Sequence, residues 1–532
     1  MYRLIAAAFL FLACTPAHAA DWWEAETEHF IVISRDSEDE TREFAVELEK
    51  FDFALRTLRT LPTDETGRSR ANKVMIFRFG DTGDIAVMAG APGSGIAGFY
   101  IPRAGASVAY VPARQDRRSR SIRRASRNAL DGMSVLKHEY AHHFMMQYFP
   151  GAYPRWYVEG YAELVASIRF LGDGHFHVGD PPQYRARQVL QMSQFPLKEM
   201  LDDEHELTGR DAYQHYGTGW LLSHYLNFDE EARDKLALYL TALAEGEPSL
   251  PAAERIFGDI GELQDRLMKY RHGNFPGFDV APPDYQPPKV TMRELRPDEE
   301  EFVRAKMRLR RGVTKEQAAD VRGDILADIG AYPDSLEAHL LLAEASYDAE
   351  EYAAAEQAAI RAVEIDPDAV QGWLYRGLAT LELAKEDPSR LSEARQHFAD
   401  AAALDQSDPR ALIQYYRSFL EMEEYPSENA ILALEAAYDT AGSDSEYRLL
   451  LGRQLLTEKR FDAARSVIMP VAFSGHATGE ADADEGDPTP KRLLKAIDDH
   501  DGEAAIEMID EWLDPDEDED GEEDEDDILA AA

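Results

Sequence analysis

Cysteine is almost absent from this sequence: Cys14 is the only one in 532 residues. It falls inside an N-terminal segment expected to be removed, so the mature chain is expected to hold no disulfide, which suits an oxidising compartment. Long apolar runs are missing as well. Leu4–Ala13 is too short to cross a bilayer as a permanent helix, and no transmembrane segment is expected. Positive charge is the third shortage. Against 101 acidic residues stand 56 Lys and Arg, a formal net charge of −45. That balance excludes nucleic acid as a natural partner and disfavours an anionic membrane surface, since both would repel the chain. Excess acid is also what solubility or a salty habitat requires, with no partner at all.

What is present begins with the three parts of a secretory signal. Arg3 supplies the charge, Leu4–Ala13 the apolar run, and Ala17-His-Ala19 a small-residue cleavage site. A periplasmic or secreted protein is the expectation. Phe11-Leu-Ala-Cys14 offers a rival lipoprotein reading through Cys14, although Phe fits its first position poorly. At 532 residues with 44% hydrophobic content, the chain is long enough for two or more cores.

Strand-like and helix-like runs mix over residues 20–272. Phe30–Ser34 and Val74–Phe79 read as strands, and Phe99–Pro102 and Val108–Pro112 as a hairpin through Arg103–Ser107. Thr41–Leu61 carries Phe44, Leu48, Phe51, Leu55 and Leu58 at helical spacing. Further helices are predicted at Leu130–Tyr148, Trp156–Phe170, Arg185–Phe195 and Tyr213–Phe228. This is an α+β pattern in which a small sheet precedes a helical region. Residues 273–312 read as a proline-rich linker and a leading helix.

Residues 313–475 show paired small residues at repeat spacing: Ala343 and Ala355, Gly377 and Ala394, Gly452 and Ala464. They resemble tetratricopeptide repeats, about four units in all, and Pro333 and Pro367 stand one repeat apart. Such an all-α solenoid usually offers a face for peptides or proteins. Residues 476–532 form an acidic tail expected to be largely disordered, with one or two short helices between Arg492 and Leu513.

The chemistry concentrates in His138-Glu139-Tyr-Ala-His142, an H-E-x-x-H. On a helix, His138 and His142 share a face one turn apart and can bind one metal ion, while Glu139 can reach a water on it. Hydrolysis by zinc needs a third ligand and an open position. The segment Trp156-Tyr-Val-Glu159-Gly-Tyr-Ala-Glu163 offers Glu159, after a break at Pro150-Gly151 and Tyr153-Pro154 that lets the second helix fold back. His143 points elsewhere on the helix. Gly93-Ser-Gly95-Ile-Ala-Gly98 is a literal G-x-G-x-x-G, but a strand rather than a helix follows, so it makes no phosphate site. The basic run Arg114–Arg127 reads as a solvated or protease-sensitive loop.

These segments resemble the gluzincins, and within them the peptidase MA-like families of exported bacterial proteins. The likeness covers roughly Trp22–His272. It implies a gluzincin-like metallopeptidase fold with Zn2+ held by His138, His142 and Glu159, and Glu163 behind a metal-bound histidine. Glu139 would be the general base for attack of zinc-activated water on a peptide bond. Tyr216-Gly-Thr-Gly219 resembles the helix start that supplies a tyrosine for the oxyanion, which implies that role for Tyr216, with Tyr213 and His215 as neighbours that could replace it. Glu163 remains an alternative third ligand. The G-x-M-E-N motif of aminopeptidases is missing; Gly95-Ile-Ala-Gly98-Phe-Tyr-Ile-Pro102 stands in its place, so endopeptidase action is expected. The substrate would be a peptide or protein, with the repeats binding it or a protein partner. The alternative is a non-catalytic scaffold with a zinc-stabilised domain, against which Glu139 counts, because a purely structural site has no use for it.

Overall fold

A computed structural model describes residues 22–473 apart from 65, 95, 115–131, 186–188, 192, 203–204, 206–208 and 284, together with residues 489–513. The expected signal segment, most of the basic run and the acidic stretch after Leu513 lie outside the described residues. No helix among the described residues is long and apolar enough to cross a membrane.

The N-terminal region is built on a mixed sheet. Its strands are β1 (Trp23–Glu26), β2 (Phe30–Ser34), β3 (Val74–Phe79), β4 (Phe99–Ile101), β5 (Val108–Pro112) and, from far along the chain, β9 (Thr291–Glu294). They lie in the order β4-β5-β3-β2-β1-β9, with β2, β3 and β5 parallel and the remaining pairs antiparallel. Side chains alternate between the faces. Phe30, Val32, Val74, Ile76, Ala109 and Val111 face one layer. Ile31, Ile33, Phe77, Val108 and Tyr110 face the other. Helix α1 (Glu38–Arg59) covers the first face with Leu48, Phe51 and Leu55, each fully buried. Burial of each such side chain is worth about 1.5–3 kcal/mol. Ser37 and Glu40 close the start of α1 as a reciprocal cap. The second face is covered by α2 (Thr82–Met88) and by Val303 and Met307 of a much later helix.

After the sheet come α3 (Gly132–Tyr148), α4 (Arg155–Ala166), α5 (Leu197–Met200), α6 (Gly209–Phe228), α7 (Glu230–Ala244), α8 (Ser249–Phe257) and α9 (Ile260–Arg271). The helix expected over Trp156–Phe170 stops at Ala166, because Arg169 onward extends into β6 (Arg169–Gly172). The helix expected at Arg185–Phe195 opens instead on a 3-10 turn, Gln183–Arg185. The stretch expected as a linker belongs to this region too. In it, β8 (Phe278–Val280) pairs with β7 (His175–Val178), which pairs with β6, and β9 pairs with β1. Strands of three or four residues carry too little alternation to stand out between prolines.

Helices α10 (Pro297–Arg311), α11 (Lys315–Asp328), α12 (Leu336–Asp348), α13 (Tyr352–Ile365), α14 (Val370–Glu386), α15 (Leu391–Leu404), α16 (Pro409–Leu420), α17 (Glu428–Thr440), α18 (Ser445–Thr457) and α19 (Phe461–Phe473) form the C-terminal array. Consecutive helices pack in pairs, with small residues under large ones. A Cβ on Gly377 would stand 2.5 Å from Phe398, and one on Gly452 2.5 Å from Ile468. The tail contributes α20 (Thr489–Asp498) and α21 (Gly502–Leu513), whose Leu493, Ile497 and Ile509 join the core of the last pair. An α/β region followed by a largely helical part is thus the observed architecture.

The array is not a free appendage. Met307 and Val303 of α10 lie under the sheet, and Tyr110 donates its hydroxyl to the Met307 carbonyl at 2.7 Å. The β4–β5 turn is held at several points. Arg103 donates to the carbonyls of Arg310 and Arg311, both at 3.2 Å, and the Ala104 N–H donates to Asp444 Oδ2 at 2.8 Å. The Gly105 backbone passes close to the Arg410 side chain. This part of the array is occupied by the chain's own hairpin.

Candidate metal centre

Helix α3 carries the H-E-x-x-H and is closed by Phe149-Pro150-Gly151. Pro154, in extended conformation, starts α4. Proline has no N–H to continue a helix and a fixed φ suited to the turn, so the chain folds back here and α4 packs on α3. Helix α4 then crosses α6 at backbone contact. A Cβ on Gly160 would lie 2.3 Å from the Gly219 carbonyl oxygen and from Ser223 Oγ, and one on Gly219 would lie 3.0 Å from the Trp156 carbonyl oxygen. The two glycines let the helices meet without side chains between them. Glu159 precedes one of them, and Tyr216 lies one turn before the other.

The result is a compact donor set. His138 Nε2 lies 3.1 Å from Glu159 Oε2 and 3.1 Å from His142 Nε2, while His142 Nε2 lies 3.7 Å from Glu159 Oε2. An ion bonded tetrahedrally at roughly 2.0–2.1 Å holds neighbouring donors about 3.3 Å apart. The three atoms therefore fit around one ion, with the chemistry of two imidazoles and a carboxylate. Glu159 is almost wholly buried, which an unpaired carboxylate would not tolerate. In the metal-free chain burial works against a charged His138, but the hydrogen bond to Glu159 and the charges of Glu163, Glu159 and Glu139 raise its pKa to about 9.

Glu163, one turn beyond Glu159, is not in the donor set. Its Oε1 accepts from Arg185 Nε at 2.7 Å and its Oε2 from the Tyr184 hydroxyl at 2.6 Å, with His138 Nδ1 at 3.7 Å from Oε1. It stands behind His138, on the side away from Glu159. Glu139 is half-buried, and its charge is felt at His138, Tyr216 and Tyr100. Tyr216 has its ring 6.3 Å from that of His138. The charge of Glu159, followed by burial, holds its hydroxyl well above the ordinary tyrosine pKa, so it remains an O–H donor at neutral pH.

His215 is buried against Phe195, and burial and the charge of Arg155 lower its pKa to about 4. Tyr213 lies in the same helix, α6. His143 turns away from the donor set, with Nδ1 3.1 Å from the Tyr100 hydroxyl of β4; burial and the charges of Arg68 and His29 lower it to about 4. Tyr184 and Arg185 beside Glu163, and Asp52 and Tyr140 behind the donor helix, support the centre although no local pattern in the sequence announces them.

A second grouping, His29, Glu49 and Asp52, also has donor atoms close enough for an ion. Its carboxylates are already occupied. Asp52 accepts from Arg56 Nε and the Tyr140 hydroxyl, each at 2.7 Å, and Glu49 accepts from the His29 backbone N–H, with the His29 ring at 2.6 Å. It serves as a hydrogen-bond network between α1 and α3.

Comparison with known protein families and with curated proteins finds no match.

Proposed function

We propose that this chain is an exported zinc peptidase of the gluzincin type that cuts internal peptide bonds. Its tetratricopeptide-like array would hold a protein substrate or partner. The observation that carries the reading is the spacing of the His138, His142 and Glu159 donor atoms, 3.1–3.7 Å, with Glu139 beside the first of them. Zinc, when bound there, supplies a water whose pKa is lowered towards neutrality. Glu139 accepts that proton at its carboxylate and passes it to the leaving amine. Tyr216 donates a hydrogen bond to the carbonyl oxygen as negative charge builds on it. The missing amino-terminus motif supports endopeptidase action, and the signal-like N-terminus supports a periplasmic or secreted location. Gly377 and Gly452, each under a large residue of the next helix, support the repeat assignment.

The test compares the purified mature chain with Glu139→Gln for zinc content and for cleavage of casein and of peptides with blocked amino termini. The wild type is expected to hold zinc and cut both. The variant is expected to keep its zinc and lose activity by about 10²–10⁴-fold. A wild type that holds zinc yet cuts nothing in a broad peptide library would replace this reading with that of a zinc-stabilised scaffold. Cleavage only of free amino termini would make it an aminopeptidase.

A further inference from the structure

One side chain touches both flanks of the candidate centre without belonging to the donor set. Arg185 closes the 3-10 turn Gln183–Arg185, in the chain that leads from β7 towards α5. Its Nε donates to Glu163 Oε1 at 2.7 Å, and its guanidinium carbon stands 4.6 Å from the centre of the Tyr216 ring. Glu163 is fully buried, and its Oε1 faces His138 Nδ1 at 3.7 Å. A carboxylate so deeply buried is costly unless a cation and hydrogen bonds compensate it. Arg185 is that cation, and Tyr184 completes the pairing at the second oxygen.

We propose that Arg185 is a positioning residue with two duties: it keeps the Glu163 carboxylate behind His138 and away from the metal, and it presents Tyr216 to the substrate. This rests on the peptidase reading for its second duty only. Without the guanidinium, Glu163 would be left with Tyr184 and the His138 ring, and would pull on the imidazole or compete with Glu159 for the ion. Tyr216 would lose the flat cation against its face. The two duties need different properties. Holding Glu163 needs a positive charge with a hydrogen-bond donor, which lysine can supply. Lying over a tyrosine ring while donating sideways to a carboxylate needs the planar guanidinium, which lysine lacks.

The experiment uses the full chain with Arg185→Ala, Arg185→Lys, Glu163→Gln and the double variant Arg185→Ala/Glu163→Gln. Zinc affinity is measured by competition with a chelator, and kcat and KM on one blocked peptide. Circular dichroism and thermal melting identify any variant that fails to fold, and Arg185→Gln, which fills the space without the charge, stands in for the alanine one if that happens. Arg185→Ala is expected to lower zinc affinity by about 10–100-fold, the usual effect of losing a group that orients a ligand. The double variant should lose no more than the worse single one. Arg185→Lys should recover most of the zinc affinity but keep a reduced kcat with KM nearly unchanged. Wild-type zinc affinity in Arg185→Ala, or independent losses that multiply in the double variant, would overturn the first duty. A kcat restored by lysine would overturn the second. If the wild type cuts no peptide, the peptidase reading fails, and the affinity series still decides the first duty.

Discussion

Tyr140 donates its hydroxyl to Asp52 across 2.7 Å, joining the far side of the H-E-x-x-H helix to α1. Tyr140 lies midway between His138 and His142 in sequence, so on a helix it points away from both. Lys137 adds a second tie from the same helix, to Glu47 at 2.6 Å. Together they set the rotation of α3, and with it the direction of the two imidazoles. Asp52 also accepts from Arg56 at 2.7 Å and has His29 Nδ1 at 3.3 Å. The two partners should therefore respond differently to substitution. Tyr140→Phe removes one hydrogen bond and is expected to cost about 1–2 kcal/mol in denaturant unfolding, with a modest loss of metal affinity. Asp52→Ala strips the buried Arg56 guanidinium of this carboxylate and is expected to cost about 3–5 kcal/mol. Equal losses for the two would show that the charge is not what matters.

The crossing of α4 and α6 offers no room for a methyl group. Gly160→Ala would set its Cβ 2.3 Å from a backbone carbonyl oxygen, so the helices must part. A loss of about 1–3 kcal/mol is expected, together with weaker metal binding, because Glu159 immediately precedes Gly160. Thermal melting with and without zinc reads both. An unchanged melting temperature would mean the crossing is looser than it stands.

Glu159 and Glu163 are distinguishable by the size of the effect. Glu159→Ala removes a donor atom and should abolish stoichiometric zinc binding at micromolar concentrations. Glu163→Gln removes only a supporting charge and should cost about 10–100-fold in affinity. Dialysis against a chelator series followed by metal analysis separates them. The reverse ranking would make Glu163 the ligand.

Protons would compete with a metal taken up at His138. Its pKa is raised to about 9 in the metal-free chain, so at pH 7 the imidazole carries a proton that metal uptake must release. Calorimetry in buffers of different ionisation enthalpy should show about one proton released at pH 7 and progressively fewer as the pH passes 9. For the metal-free chain the sign follows from the same shift. The stabilisation from charged His138 is fully present below the unfolded-state pKa near 6.5 and is lost as pH rises through about 9. Melting temperatures of the chelated protein across that window check it.

The hairpin turn seated on the array gives a prediction about dynamics. Arg103→Ala combined with Asp444→Ala removes the contacts at Arg310, Arg311 and Ala104. Hydrogen exchange in the β4–β5 segment should then accelerate, while α12 and α13 stay protected. Because Tyr100 of β4 meets His143 on the far side of the donor helix itself, exchange at the C-terminal end of α3 is expected to rise with it. Unchanged exchange at β4 would mean the array merely rests on the hairpin.

What the sequence determined by itself was local. Residues one helical turn apart share a face whatever surrounds them, so His138 with His142 was legible, as were α1, the hairpin and the small residues Gly377 and Gly452. Prolines 150 and 154 likewise announced the fold-back that brings Glu159 near. The tertiary structure decided everything that rests on distant pairs. Nothing near Glu163 in sequence says that Arg185 and Tyr184 will claim its oxygens, and nothing near Tyr140 names Asp52, 88 residues away. Edge strands β8 and β9 passed for a linker because their order comes from partners far along the chain. The helical character of the C-terminal part was visible, yet the seating of the hairpin turn on it was not. Helical periodicity is set by backbone geometry within a few residues, whereas charge compensation and strand pairing are settled only when the chain has closed on itself.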